Sequence, residues 1–218
     1  MIGGMSSQPA EYPPPTLVRV GVTGHRTKGL SQAGYNPEVL SQSVREVLTQ
    51  VKKVAQDALS EPLLRVVSPL AEGADRVVAE EALALGYSLQ SPLPFPRHEY
   101  ERDFSTPESR VIFNTLLGRA SEVVELAGSR NDANAAYEAV GRWVLLHSDI
   151  LIAIWNGKPA AGQGGTGQIV QEALAERIAT VWVRPHDPIS LIKSTNPLSS
   201  VSIDQLSEVI RRALTAPS

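Results

Sequence analysis

The segment Asp149-Ile-Leu-Ile-Ala-Ile-Trp-Asn-Gly157, continuing as Lys158-Pro-Ala-Ala-Gly-Gln-Gly-Gly-Thr166 and Gly167-Gln-Ile-Val-Gln-Glu-Ala-Leu174, decides the fold. The unbroken apolar run from Ile150 to Trp155 reads as a strand buried on both faces, as in a parallel sheet covered by helices. After the glycines, Ile169, Val170, Ala173 and Leu174 recur at helical spacing. Strand, glycine loop and helix in this order make a phosphate-binding layout. Glycine lets backbone N–H groups come close to an oxyanion, and the helix start adds roughly half a positive charge at the same point.

Upstream, strands and helices alternate. Leu17-Val-Arg-Val-Gly-Val-Thr23 reads as a strand running into Gly24-His25-Arg26. Asn36 as cap, Pro37 at the first helical position and Glu38 in the first turn open a helix striped by Leu40, Val44, Val47, Leu48, Val51, Val54 and Ala55. Leu63 to Ser68 is a second strand, which Pro69 to Asp75 turns into a helix closed by Gly86. A third strand, near Ser88 to Pro94, contains Pro92 and Pro94 and is expected to be short or at a sheet edge. Thr106-Pro107-Glu108 caps a helix to Ala120, Ser121 to Leu126 is a fourth strand, and a helix from about Ala135 to His147 leads into the central strand. Beyond the glycine loop and its helix comes a last strand, Thr180-Val-Trp-Val-Arg184. Ser202 and Gln205 then form a capping box for a final amphipathic helix.

Such alternation calls for right-handed crossovers and a three-layer, Rossmann-like α/β sandwich with a mostly parallel sheet of about six strands, plus a C-terminal helix. Residues 1–16, rich in glycine, serine and proline, are expected to be a flexible leader. Residues 17–184 are expected to form one domain, and 185–218 an irregular connection and terminal helix packed on it.

Composition narrows the classes of function. A net charge of −3 and the lack of a lysine/arginine block make nucleic acid an unlikely partner on this reading. No cysteine is present, which removes disulfides, thiolate catalysis and cysteine-based zinc sites. His25, His98, His147 and His186 lack metal-ligand spacing, so no metal and no cofactor is expected. No run approaches the roughly 20 apolar residues needed to span a bilayer, and no signal segment is present, so a cytoplasmic protein without a membrane partner is expected.

Ligands of open α/β sheets sit beyond the carboxyl ends of the strands. Three candidate segments lie there: Gly24-His25-Arg26, Ser68 to Arg76, and Asn156-Gly157 through Gly164-Gly165-Thr166. Within Ser68-Pro-Leu70-Ala71-Glu72-Gly73-Ala-Asp75-Arg76, the two acids fall in a first helical turn, where the dipole alone favours carboxylates. On the functional reading, Gly73 lets the backbone approach a ligand while Glu72 or Asp75 holds ribose hydroxyls or acts on a nearby bond. Arg26 and Arg76 can meet a phosphate or pair with these acids. Tyr100 and Trp155 are candidates for stacking on a base, with inward packing beside Phe104 as the alternative for Tyr100 and a core role as the alternative for Trp155. A Walker A loop, a Gly-x-Gly-x-x-Gly turn after the first strand and a Gly-x-Ser-x-Gly elbow are all missing, which leaves triphosphate hydrolysis, standard nicotinamide chemistry and a serine triad without support.

Val22-Thr-Gly-His-Arg26, Ser68-Pro-Leu-Ala-Glu-Gly-Ala-Asp-Arg76, Leu93-Pro-Phe-Pro96 with Tyr100 and Asp103-Phe104, and Ala153-Ile-Trp-Asn-Gly157 with Gly164-Gly-Thr166 together resemble the SLOG superfamily. That group is related to the Lonely Guy phosphoribohydrolases and the DNA-processing protein A family. The resemblance spans about residues 17–184 and implies a Rossmann-like domain that binds a nucleotide-derived ligand. Some members cleave the base–sugar bond, and others, especially in bacterial conflict and signalling systems, sense nucleotides. The cleaving members carry Pro-Gly-Gly-x-Gly-Thr-x-x-Glu. Here Ala161 takes the proline position, Gln163 a glycine position and Ile169 that of the catalytic glutamate.

The expectation is therefore a bacterial, cytoplasmic sensor or regulator binding ADP-ribose, an NAD-derived species or a nucleoside monophosphate. Phosphate is expected on Gly164, Gly165, Thr166 and Arg26, ribose on Glu72, Gly73 and Asp75, and the base near Tyr100 or Trp155. An N-glycoside hydrolase or transferase using Glu72 or Asp75 is the alternative. Output would require a partner protein or a homo-oligomer.

Overall fold

The computed structural model describes residues 16–158, 165–184, 190–193, 196–197 and 203–215. Its elements are Leu17–Gly24 (β1), Thr27–Gln32 (α1), Pro37–Ala58 (α2), Leu63–Val67 (β2), Ala74–Ala84 (α3), Ser88–Leu93 (β3), Arg97–Tyr100 (α4), Pro107–Gly118 (α5), Glu122–Glu125 (β4), Ala133–Leu146 (α6), Ile150–Ile154 (β5), Thr166–Ala175 (α7), Ala179–Val183 (β6), Ser190–Lys193 (β7), Asn196–Pro197 (β8) and Ile203–Thr215 (α8). The sheet order is β4-β3-β2-β1-β5-β6-β7-β8. The first six strands run parallel, as the alternation of elements predicts, and β7 and β8 add an antiparallel hairpin at one edge.

Side-chain alternation along the central strands builds the two cores. Ile150, Ile152 and Ile154 of β5 join Val18, Val20 and Val22 of β1 under the face covered by α2, α3, α5 and α8. Leu151 turns the other way and packs with Val144 and Leu145 of α6 and Ile169 and Ala173 of α7. Each such buried aliphatic side chain contributes about 1.5–3 kcal/mol of transfer free energy, so the six-residue apolar run feeds both cores at once. The caps read from the sequence are in place. Asn36 Oδ1 accepts from the N–H groups of Glu38 and Val39 at 2.9 and 3.1 Å, and Thr106 Oγ1 accepts from Ser109 N–H at 3.1 Å.

Two local expectations are corrected. β3 is an inner strand, paired with β2 on one side and β4 on the other. Pro92 is tolerated because the β2 ladder ends at the Val67–Gln90 pair, so no N–H is needed two residues further on. The connection expected to be irregular after residue 184 includes β7, which pairs Thr180 with Ile192 and Trp182 with Ser190. Ser202, read as the cap of the last helix, and the leader up to residue 15 lie outside the described residues. Leu206 and Ile210 of α8 enter the same core as α2. Among the described residues no helix is long and apolar enough to cross a membrane.

The winding direction changes between β1 and β5, which are neighbours in the sheet but continue toward opposite edges, β1 through α2 to β2 and β5 through α7 to β6. Their departing connections leave a gap at the carboxyl ends of the two strands. Tyr35 pins one side of it. Its hydroxyl, buried, donates toward the carbonyls of Trp155 and Val183 at 2.9 and 2.7 Å. Tyr35→Phe is expected to lower stability by about 1–2 kcal/mol, because it removes the donor shared by two buried carbonyls; urea unfolding with an unchanged m-value checks this.

Candidate functional site

Gly24 of β1 pairs with Ile154 of β5, and His25 N–H extends the ladder by donating to the Ile154 carbonyl at 2.9 Å. Past that point the strands separate around a crevice of about 730 Å³, within the 300–1,000 Å³ usual for small-molecule sites. His25 also lines it, its Nε2 accepting from Asn156 N–H at 3.3 Å, which puts the imidazole proton on Nδ1 in this arrangement.

Opposite lies the start of α7. Gly165 occupies the N-cap and supplies no side-chain cap, and Gln168 and Ile169 N–H turn back to the Gly165 carbonyl at 2.9 and 3.3 Å. The N–H groups of Thr166 and Gly167 have no partner among the described residues. Both residues line the crevice, so the positive end of a ten-residue helix opens into it. Gly164 lies outside the described residues.

The segment before α3 separates into two groups. Ala71 and Asp75 line the crevice, whereas Ser68, Leu70, Glu72, Gly73 and Arg76 do not. Ser68 Oγ donates to the Asp75 carbonyl at 3.0 Å and accepts from Leu70 N–H at 3.2 Å, a closed turn in which fully buried Leu70 takes φ +61°. Gly73, at φ +95°, presses against the loop after β1, where an added Cβ would sit 2.5 Å from the His25 carbonyl oxygen and 2.6 Å from Thr27 N. Its lack of a side chain serves contact between two loops of the chain rather than approach to a ligand. Gly24 makes the reciprocal fit, since a Cβ there would lie 2.3 Å from the Ala74 Cβ. Arg76 donates to the Leu70 carbonyl and to Ser109, and its guanidinium lies 4.4 Å from the centroid of the Phe104 ring. Glu72 accepts from Ser109 Oγ. These side chains tie α3 to α5 behind the crevice wall.

Asp75 is the acid that faces the cavity. It is 8% exposed, accepts one long bond from Ala71 N–H at 3.3 Å, and has no ion pair among the described residues. Burial pushes its carboxyl up to about 7, against the opposing pull of the Ala71 N–H and the charges of Arg26 and Arg76. Tyr100 stands beside it. Phe104 and Phe113 meet its ring edge-on and Phe95 packs at a tilt, so Tyr100 offers a hydroxyl rather than a stacking face. Trp155 lines the crevice with its Nε1 donating to the Lys158 carbonyl at 2.7 Å and its ring 5.3 Å from Trp182. Asn156 lines it too and accepts from Lys158 N–H at 3.0 Å, while Gly157 turns the backbone at φ +80° outside the lining.

Several lining residues stand outside the expected ligand set. The Asp103 side chain is 6% exposed and takes three donors: Arg26 Nη2 at 3.2 Å, Arg130 Nη1 at 2.8 Å and Tyr137 OH at 2.6 Å. Arg26, with 43% of its side chain exposed, thus reaches the crevice between Asp103 and the Tyr137 ring, 5.4 Å from that ring's centroid. Lys158, Tyr137 and Ile169 complete the walls used below. The Asp103-Phe104 motif was a signal for the first of these. Tyr137 reads as an inward residue of an ordinary amphipathic helix, and nothing in the sequence marks it out. Glu172 cannot substitute for the acid missing at Ile169, since Arg142 holds it by two bonds of 2.9 Å on the surface of α6 and α7. No set of three or more acidic or histidine side chains is placed to hold a metal ion among the described residues.

Two substitutions test this local architecture. Gly73→Ala is expected to destabilise by roughly 2 kcal/mol or more, through positive φ and overlap with backbone that cannot move aside, measured by thermal or urea unfolding. Asp75→Asn is expected to stabilise the protein at about pH 8 but not at about pH 4. A carboxyl raised from 3.8 to about 7 on folding makes stability fall as pH rises through that window, and the displacement bounds the effect at about 4 kcal/mol. Denaturation midpoints of both proteins across pH would show the curves diverging upward from pH 4.

No protein-family model matches the chain, and no curated protein matches it by sequence. Solved structures match in fold. DNA processing protein A (DprA) from Streptococcus pneumoniae superposes with a TM-score of 0.48 and 14% identity over 90% of this chain and 55% of its own. DNA processing protein A from Helicobacter pylori, a single-stranded DNA binder, gives 0.45 and 16% over 79% of this chain and 69% of its own. The structural-genomics target TM1055 gives 0.37 and 16% over 71% and 81%. The chain spans little more than half the length of the Streptococcus protein. At these identities the likeness is one of fold and carries no ligand or activity across. The expectation that nucleic acid is an unlikely partner is nonetheless corrected: the matched Helicobacter pylori protein binds single-stranded DNA. The fold of the chain, six parallel strands with helices on both faces, is Rossmann-like.

Proposed function

We propose that residues 17–184 bind a nucleotide-derived small molecule, of ADP-ribose, NAD-derived or nucleoside monophosphate type, in the crevice between the ends of β1 and β5, and that the protein acts as a cytoplasmic sensor or regulator. The observation that carries this reading is the N-terminus of α7, without a side-chain cap from Gly165, facing a cavity that Arg26 and Lys158 also line. N–H groups at a helix start without a partner among the described residues, with two cations across a space of nucleotide size, suit a phosphate. Gly165, Thr166 and Arg26 hold the phosphate in this proposal, Ala71 and Asp75 lie nearest the sugar, and Trp155 or Tyr137 faces the base.

Sensing is favoured over cleavage by Ile169. It packs in the α6–α7 core at the position where the cleaving relatives carry a carboxylate, and an apolar side chain neither takes a proton nor attacks an anomeric carbon. One observation favours the second reading, an N-glycoside hydrolase or transferase: Asp75, poised near neutrality on the crevice wall, has the protonation behaviour of a general acid or base. Glu72, held by Ser109, is not retained in that role.

Equilibrium dialysis against NAD, ADP-ribose, its cyclic forms and nucleoside monophosphates, with mass spectrometry of both chambers, separates the readings. Retention of one nucleotide intact is the expected result. Free base with sugar phosphate would replace the sensor by the hydrolase. No retention, or retention only of a single-stranded oligonucleotide run in parallel, would overturn both. Arg26→Ala is expected to weaken the retained nucleotide about tenfold or more, the usual worth of a charge-assisted bond to phosphate.

A further inference from the structure

Tyr100 presents an anomaly that packing does not explain. It is 1% exposed, its ring is enclosed by three phenylalanines, and its hydroxyl makes no hydrogen bond to any described residue. Buried tyrosines elsewhere in the chain behave differently: Tyr35 and Tyr87 each donate to backbone carbonyls, the latter to Leu48 at 2.7 Å. A phenylalanine would fill the Tyr100 position at no cost in hydrogen bonding, yet a hydroxyl is held there, on the lining of the crevice. The nearby Asp75 carboxyl has one long bond and no ion pair among the described residues.

We propose that the inner wall of the crevice binds an anionic oxygen of the ligand through two proton-bearing groups, the Tyr100 hydroxyl and the Asp75 carboxyl, so that ligand capture takes up a proton at Asp75. The proposal rests on the reading of the crevice as a nucleotide site and assigns the chemistry of its inner wall. The ligand class is thereby narrowed to one with an oxyanion beyond the group seated on α7, as in a pyrophosphate. The proton comes from solvent and stays on Asp75, and no bond of the ligand is broken.

The surroundings decide the direction of coupling. Asp75 is faced by Arg76 from its own helix, by Arg26 from the loop after β1, and by the Ala71 N–H from the preceding turn. Tyr100 from α4 lies within its field, and Asp103 and Tyr137 adjoin Tyr100 and Arg26. Lys158 and His25 line the same cavity. Arg26 reaches Asp103 through Nη2 and Arg76 reaches Leu70 and Ser109 through Nε and Nη1, and among the described residues neither lies within ion-pair distance of the Asp75 carboxyl. An anion entering the cavity screens Arg26 and adds like charge, which favours the neutral acid. Tyr100, raised by burial and by Asp75, keeps its proton throughout. Both groups are then donors, and the anion is their acceptor.

Calorimetry with ADP-ribose, whose pyrophosphate does not titrate near neutrality, tests the proposal, with sulfate as a minimal non-titrating oxyanion. At about pH 8 the heat of binding is expected to differ between Tris and HEPES in proportion to buffer ionisation, corresponding to uptake of up to about one proton, and affinity to fall by up to about tenfold for each pH step above 7. Tyr100→Phe is expected to leave the thermal midpoint unchanged or raised while weakening ADP-ribose about tenfold. A structural tyrosine would give the reverse, lower stability with intact binding. Binding without proton uptake, or unaltered by Tyr100→Phe, overturns this inference and leaves the nucleotide site standing. No binding of ADP-ribose or sulfate at about pH 6 overturns both.

Discussion

The constraint on which this molecule depends is the adjacency of two parallel strands whose connections must part. β1 and β5 share a ladder from Val20–Ile150 to Gly24–Ile154. A parallel strand reaches its next partner only by a right-handed crossover, so a chain that continues to β2 from one strand and to β6 from the other leaves space above their ends. What fills a domain interior elsewhere cannot fill this space, because the backbones that would do so are turning away. The loops after β1 and β5 are thereby committed to forming its rim, and the helix after β5 to pointing its N-terminus at it.

The second loop layer keeps the rim in shape. Ala74 N–H donates to the His25 carbonyl at 3.1 Å, and the glycine before it allows this contact. Leu70 is held in a left-handed conformation, which costs of order 1–2 kcal/mol for a residue with a Cβ. The Ser68 hydroxyl, the Arg76 guanidinium and the burial of Leu70 offset it. The result is a stiff turn that brings Asp75 to the cavity while sending Glu72 and Arg76 toward α5. Rigidity here and a carboxyl without an ion pair among the described residues go together: Arg76 braces the turn through Nε and reaches α5 through Nη1.

The fold was legible because its signals are local and periodic. The run Ile150 to Trp155 is buried on both sides, and the caps at Asn36 and Thr106 hold the N–H groups expected of them. β3 was placed less well, since two prolines argue for an edge unless one knows where the neighbouring ladder stops, which is a property of β2. Much of the candidate rim was legible too, but the division of labour within Ser68 to Arg76 was not. Helical phase sets Asp75 apart from Glu72 and Arg76, while the pull of Ser109, 37 residues from Glu72 and 33 from Arg76 in the chain, decides where the latter two go. Asp103 and Tyr137 become partners only when the turn after α4 meets α6, and no spacing in the chain foretells that.

The central claim, that the gap between β1 and β5 is a ligand site, is tested most directly by following backbone amide resonances of the full chain during titration with ADP-ribose. The account predicts the largest shifts at Gly24 to Arg26 and Gly165 to Gly167, with saturation at a common affinity. Shifts confined to other surfaces, with these amides unmoved at saturation, would contradict it.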